Sequence, residues 1–334
     1  MAKRVIFLIV LSVFFIFSLI FTTPIFLLSN TFSDYGKIEK SISFYYTPSN
    51  FSSLERLNIN VDSGIVRIMY VDTSVSYNVK INANIELEGS DLVGRSYFEF
   101  FNFTWLNSSD TVYFSCYHLS NSWFESSKVI SKNLSIIVSI RKDIIIDLNA
   151  TINEGSIDLT KIPFGVTVNN INLNIKDVGE LFYNFYSCSV NGNITGLVNE
   201  GNINLELYNI LYSQNSTLSF TIGTGELNLN IIQHMDLKAN VSGIVAISDG
   251  DTSLRYDDNS DKIGAIFNIP NTGDLNPEIL CFGIYGGCPV VGFDVDDVNY
   301  IFTSDDLLAR ICKFYYNLTF ELGEGIFTPH LTSL

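Results

Sequence analysis

The sequence predicts an all-β fold, either a short irregular β-solenoid or a β-sandwich built from repeats, preceded by one N-terminal transmembrane helix. Three observations carry this. An uncharged apolar run opens the chain, a glycine motif recurs through its middle, and the remainder alternates apolar and polar residues with many β-branched and aromatic types. Four regions follow: an anchor at 1–30, an N-terminal β region at 31–150, a glycine-repeat region at 151–256 and a C-terminal β cap at 257–334.

The anchor comes first. After Lys3 and Arg4 the chain runs without a charge from Val5 to Phe21, and resumes after Pro24 as far as Leu28. As a helix, Val5–Leu28 would be roughly 36 Å long, enough to cross a hydrocarbon layer of about 30 Å. The run exceeds the apolar core of a cleaved signal peptide and lacks a small-x-small cleavage site, so it reads as an uncleaved signal-anchor. Basic residues before the span stay cytoplasmic, which places the rest of the chain outside a cell membrane that it crosses once.

Charge narrows the partners. The anchor holds two of the 19 basic residues and none of the 35 acidic ones, so the exported part carries 35 acids against 17 bases. Such a surface repels phosphate backbones, which excludes nucleic acid as a natural partner.

The N-terminal β region is read from segments such as "LERLNINVD", "YNVKINANIEL" and "LSIIVSIRKDIIIDLNATI", separated by "NSSD" and "LSNSWFESS". The repeat region is more regular. Glycines at 155, 179, 201, 225 and 243, with an earlier copy at Gly64, each precede apolar residues at the second and fourth places. These are Val66 and Ile68, Ile157 and Leu159, Leu181 and Tyr183, Ile203 and Leu205, Leu227 and Leu229, and Val245 and Ile247. Successive spacings from Gly155 are 24, 22, 24 and 18 residues. The alternation implies one buried and one solvated strand face, and the glycines read as tight turns that launch strands. A period of this size marks a stacked architecture in which no repeat buries its own face. An antiparallel sandwich whose glycines mark hairpins is the alternative.

Beyond Asp257 the chain is richer in Gly, Pro and Asp, with "NIPNTGDLNPE", "CFGIYGGC" and "DVDDVN". A short helix is expected at "SDDLLARICKF", with Ser304 as its N-cap. Of five cysteines, Cys281 and Cys288 flank a Gly-rich hairpin, where they either form a disulfide or stay as free thiols.

These repeat units in 153–247, with the copy at Gly64, resemble the adhesin-type β-repeat domains of exported prokaryotic proteins. With its N-terminal anchor, the chain is also similar to membrane-anchored archaeal exported proteins. The resemblance implies a solenoid-like surface domain and brings no catalytic residues.

The chemistry in the sequence is sparse. It contains none of the nucleophile-elbow, zincin, P-loop or dinucleotide signatures, and His118, His234 and His330 stand apart. No catalytic residue and no cofactor are expected. Asp257, Asn259 and Asp261 have the alternate spacing of a Ca²⁺ loop, although Lys262 and Asn268 stand where glycine and a bidentate glutamate belong. Glycosylation sequons begin at Asn50, Asn102, Asn107, Asn133, Asn149, Asn193, Asn215, Asn240 and Asn317, a number that so Asn-, Ser- and Thr-rich a chain largely supplies by chance. Asn172, Asn202 and Asn228 are expected to form an outward ladder able to meet glycan hydroxyls or another protein's strand edge.

The functional expectation is a membrane-anchored surface protein, structural or adhesive, that is not an enzyme and meets a glycan or surface-protein partner. The alternatives are a polysaccharide-active β-helix enzyme and a ligand-binding accessory subunit of a membrane complex.

Overall fold

The computed structural model describes residues 35–47, 56–108, 110–120, 123–124, 129–208, 210–212, 216–233, 239–258, 263–270, 278–281, 297–302 and 314–333, with backbone only from 231 onward. Its strands are β1 (Tyr35–Tyr46), β2 (Arg56–Val71), β3 (Val79–Ser90), β4 (Phe101–Asn107), β5 (Thr111–His118) and β6 (Val129–Arg141). Then follow β7 (Asp147–Ile162), β8 (Thr167–Val168), β9 (Ile171–Tyr186), β10 (Ser189–Val190), β11 (Ile194–Tyr208), β12 (Leu211–Tyr212) and β13 (Leu218–Gln233). The chain continues through β14 (Ala239–Asp258), β15 (Ile263–Pro270), β16 (Glu278–Cys281), β17 (Asp297–Phe302) and β18 (Phe314–Ser333). The described residues are all-β, a 3₁₀ turn at Tyr97–Glu99 being their only helical piece. Among them no helix is long and apolar enough to cross a membrane; the anchor segment and the helix expected at Ser304 lie outside the described residues.

Two compact units divide the chain. In the smaller, which takes Ile85–Phe100 and parts of 1–40 and 120–133, Lys37 forms ion pairs with Glu39 at 2.5 Å and Glu86 at 2.8 Å. The hydrogen bond from Lys37 holds the Glu86 carboxyl below the usual carboxylate range. Phe100 meets the Trp123 ring edge-on, and Trp123 Nε1 donates to Ser90 O at 2.8 Å.

The larger unit holds the repeats. Its sheet includes the run β2-β7-β9-β11-β13-β18-β14-β15-β17. From β2 to β15 along that order each neighbouring pair is parallel. The glycines therefore do not mark hairpins. Each of β7, β9 and β11 is followed by one of the two-residue strands β8, β10 and β12, which pair in parallel with one another. One long strand and one short strand thus make a coil, and successive coils lie on each other in register.

The glycines have another purpose than the expected turn. Gly64, Gly155, Gly179, Gly201 and Gly225 lie side by side across β2, β7, β9, β11 and β13, in the middle of unbroken strands. A Cβ on any of the last four would stand between 1.6 and 2.0 Å from the preceding glycine's carbonyl oxygen. Gly64, Gly155, Gly201 and Gly225 also have φ between +124° and +144°, outside the range of ordinary L-residues. Each glycine therefore bends its strand into two arms at a point where only hydrogen fits against the coil below.

Both arms face inward. In β9, Ile171, Leu173 and Ile175 before the bend and Leu181, Tyr183 and Phe185 after it are all buried. The Tyr183 ring meets Phe220 of β13 edge-on at 5.1 Å, and Tyr183 Oη donates to Thr195 O at 2.7 Å, joining a post-glycine arm to pre-glycine arms across the core. Asparagine closes the coils: Asn170 Oδ1 accepts from Asn193 N at 2.9 Å, and Asn193 Oδ1 accepts from Thr217 N at 3.1 Å. Side chains one coil apart thus satisfy backbone groups at the turn.

The last repeat is corrected. Gly250 rather than Gly243 aligns with the glycine row, through Gly325 of β18, while Gly243 pairs with Leu318. The step from Gly225 is then 25 residues, and the spacing of 18 disappears. The sequence also conceals that β18 occupies the place between β13 and β14, parallel to both.

Candidate functional site

The outer side of the post-glycine arms builds a site with depth. Counting from each ladder glycine, the third residues are Arg67, Asp158, Phe182, Asn204 and Asn228, which lie side by side. The fifth residues Asn184, Glu206 and Asn230 lie side by side as well, with Thr160 on β7 at the same place. These residues, with Ile65, Ser156, Tyr183 and Leu205, line a groove of about 580 Å³ across β2, β7, β9, β11 and β13. The volume suits a small ligand or a segment of a longer one.

Its side chains form pairs interrupted by unpaired elements. Arg67 Nε donates to Asp158 Oδ2 at 3.1 Å, Asn228 Nδ2 to Asn204 Oδ1 at 3.1 Å, and Asn184 Nδ2 to Glu206 Oε2 at 3.1 Å. Phe182, half-buried, stands between the first two pairs. Asn230 Oδ1 is buried and accepts no hydrogen bond within the described structure. An acceptor so placed costs free energy unless a ligand or water supplies a donor.

The residues singled out in the sequence are placed differently. Asn172, Asn202 and Asn228 share no row. Asn172 aligns with Asn149 and Thr195 in the pre-glycine arm, Asn202 with Glu180 and Glu226, and Asn228 with Asn204. The three stand at different distances from their ladder glycines, so the repeat cannot superpose them. Of the three only Asn228 lines the groove. Asn172 accepts from Thr195 Oγ1 at 3.0 Å and Asn202 donates to Glu180 at 3.2 Å. Arg67, Asp158, Phe182, Asn184, Asn204, Glu206 and Asn230 belong to no motif. Aligning the repeats on their glycines and reading down the third and fifth columns would have gathered them.

The cation candidate is only partly described. Asn259 and Asp261 lie outside the described residues, and Asp257 pairs with Thr332 at the end of β14. Among the described residues no three His, Cys, Asp or Glu side chains gather to hold a metal. Cys281 ends β16, while Cys288 lies outside the described residues. Cys116 and Cys188 are buried free thiols, pushed by burial up to about 12, far from the thiolate form a nucleophile needs.

Among the sequons, Asn102, Asn107, Asn133 and Asn193 are exposed. Asn149 is half-buried, and its Nδ2 donates to Asn58 Oδ1 at 3.0 Å. Asn50 and Asn215 lie outside the described residues, and Asn240 and Asn317 are backbone positions in β14 and β18.

His118 lies near Ser63 and Asp62, an arrangement that invites a catalytic reading. However, Ser63 Oγ at 3.4 Å and Asp62 Oδ2 at 4.0 Å approach the same ring nitrogen, Nδ1. A serine–histidine–aspartate relay needs them on opposite nitrogens. The His118 ring packs against Phe101 at 4.9 Å, as a strand residue filling its place.

Comparison with known proteins finds a loose likeness. A solved structure of a candidate cell adhesion protein from Clostridium sporogenes is 12% identical, with 89% of this chain and 100% of that one covered and a TM-score of 0.37. A candidate adhesin from Bacteroides fragilis is 12% identical, with 86% and 97% covered and a TM-score of 0.29. A candidate lipid-binding protein from Parabacteroides distasonis is 8% identical, with 87% and 96% covered and a TM-score of 0.28. No family model matches the chain, and no curated protein matches it.

Proposed function

We propose that this chain is a membrane-anchored, cell-surface β-solenoid that adheres through the groove on its post-glycine arms and performs no catalysis. The observation that carries the reading is the groove itself, whose polar side chains pair with one another across coils and leave Asn230 Oδ1 unmet among the described residues. The apolar run Val5–Leu28 and the excess of acids beyond it support export and anchoring. The test is retention on the host's own envelope fraction. The chain should fractionate with membranes, external protease should remove most of its mass, and its exported part should bind envelope material. Recovery in the soluble cytoplasm, or no retention by any envelope component, would sink the reading.

One observation favours a polysaccharide-active enzyme as a second reading. Asp158 and Glu206 line the same groove, and two carboxylates flanking a sugar linkage are what glycoside hydrolysis uses. Against it, Asp158 is engaged by Arg67 and Glu206 by Asn184. Time-dependent appearance of reducing ends from envelope polysaccharide would establish the enzyme.

A further inference from the structure

We infer that the groove takes an uncharged glycan chain, its hydroxyls meeting the carboxamides while one sugar lies on Phe182; this deepens the adhesive reading and rests on it.

Charge decides first. Among the described residues the one cation lining the groove, Arg67, is already engaged by Asp158, and Glu206 adds a negative charge. A phosphate or a uronic acid would therefore meet, among the described residues, no free positive charge and one repelling carboxylate. The remaining capacity is carboxamide. Asn184, Asn204, Asn228 and Asn230 each carry one acceptor oxygen and two N–H donors, and the pairs already formed use one donor or one acceptor of each of the first three. A surface that offers donors and acceptors together, without net positive charge, matches hydroxyls, which are both at once.

Geometry excludes the other polymer that strands commonly bind. An extended peptide is captured by adding to a sheet edge. The strands beneath the groove are inner ones: β7, β9, β11 and β13 each pair on both sides. Their backbone groups are engaged within the sheet, so the groove can read a ligand through side chains alone. Phe182 supplies the apolar element, an aromatic face against which the C–H face of a sugar ring loses its water. Across five strands the floor extends roughly 19 Å, so a chain of several sugars fits where a monosaccharide would leave most contacts unmade.

The test uses the full chain in phospholipid nanodiscs, which avoid sugar-headed detergents, with neutral hexose oligomers of increasing length and matched uronic acid oligomers as probes. Affinity for the neutral series should rise over the first few sugars, and the uronic series should bind at least tenfold more weakly. Phe182→Ala and Asn230→Ala should each weaken neutral-oligomer binding tenfold or more, and Asn202→Ala, outside the groove, should leave it within twofold. Circular dichroism of each variant guards against loss through unfolding. Glu206→Gln supplies a control that keeps the groove's shape and should narrow the difference between the two series. Stronger binding of the uronic series, or neutral binding unmoved by both groove variants, overturns the inference. Envelope retention without neutral-oligomer binding overturns the ligand class alone, whereas loss of both overturns the adhesive reading with it.

Discussion

The arms before and after each ladder glycine are written in the same code, apolar residues inward and polar residues outward, yet their outer faces differ. Before the glycine, polar side chains bond to one another from coil to coil. Asn149 donates to Asn58, Asn153 to Asp62 and Thr195 to Asn172. After the glycine, Phe182 separates the pair Arg67–Asp158 from the pair Asn204–Asn228, and Asn230 Oδ1 has no partner among the described residues. Both faces tie neighbouring coils together, but only the second lines the groove. Alternation alone cannot tell them apart, because the difference lies in what each residue meets one coil away.

The glycine row, which separates the arms, is where the comparison breaks most severely. Alanine at 201 would place its Cβ 1.9 Å from Gly179 O at a φ of +134°. The loss in unfolding free energy should be about 4 kcal/mol or more, because neither backbone can yield without disturbing the next coil. Gly165 is the control: its φ is +81°, but a Cβ there meets no atom within 4 Å. Alanine at 165 should cost only about 1–2 kcal/mol, the strain of the left-handed region itself. Urea unfolding of the two variants measures the difference, and equal small costs would show that the row is not the bend it is taken for.

Within one arm the two sides should separate next. Leu205 is 2% exposed, so Leu205→Ala should cost about 3 kcal/mol through lost burial and the cavity left behind. Its neighbour Asn204 faces the groove, and Asn204→Asp keeps an oxygen to accept from Asn228, so stability should change by no more than about 0.5 kcal/mol. Similar losses would mean that inside and outside are reversed.

That division was legible in the sequence: Ile203, Leu205 and Leu207 alternate with Asn204 and Glu206, and all three apolar residues are buried. The ladder itself was only half legible. The recurring glycines were visible, but the reason for them was not, since a carbonyl 24 residues away cannot be seen in a local pattern. Gly243 drew attention because Val245 and Ile247 follow it, whereas Gly250 is followed by Thr252 and Leu254, and Gly325 by Phe327 and Pro329. Register, set by the neighbouring coils, chose the weaker motifs. The groove was hidden for a related reason. Arg67 and Asp158 are 91 residues apart, and Phe182 looks like one more aromatic in a β-rich chain until its row is assembled.

The contact that ties the arms together offers a smaller effect. Tyr183→Phe removes the buried hydrogen bond to Thr195 O while keeping the ring against Phe220. About 1 kcal/mol should be lost, the net value of one such bond, with the near-ultraviolet spectrum of the core otherwise preserved. A much larger loss would mean that the hydroxyl orders more than a single bond.

The smallest effect bears most directly on the two faces. Asn149 and Asn184 are chemically identical, both half-buried, and each gives one Nδ2 hydrogen bond to a neighbouring strand, to Asn58 at 3.0 Å and to Glu206 at 3.1 Å. Truncating either to alanine removes one such bond, so each should cost about 1 kcal/mol or less. Stability will therefore not tell them apart. Binding should. Asn149 lies outside the groove, and its loss should leave envelope retention unchanged. Asn184 lines the groove, where its remaining donor and its oxygen are available to a ligand, and its loss should weaken retention at nearly the same stability. Retention lost equally in both variants would place the working surface on both arms, and retention lost only with Asn149 would move it to the other side of the glycine row.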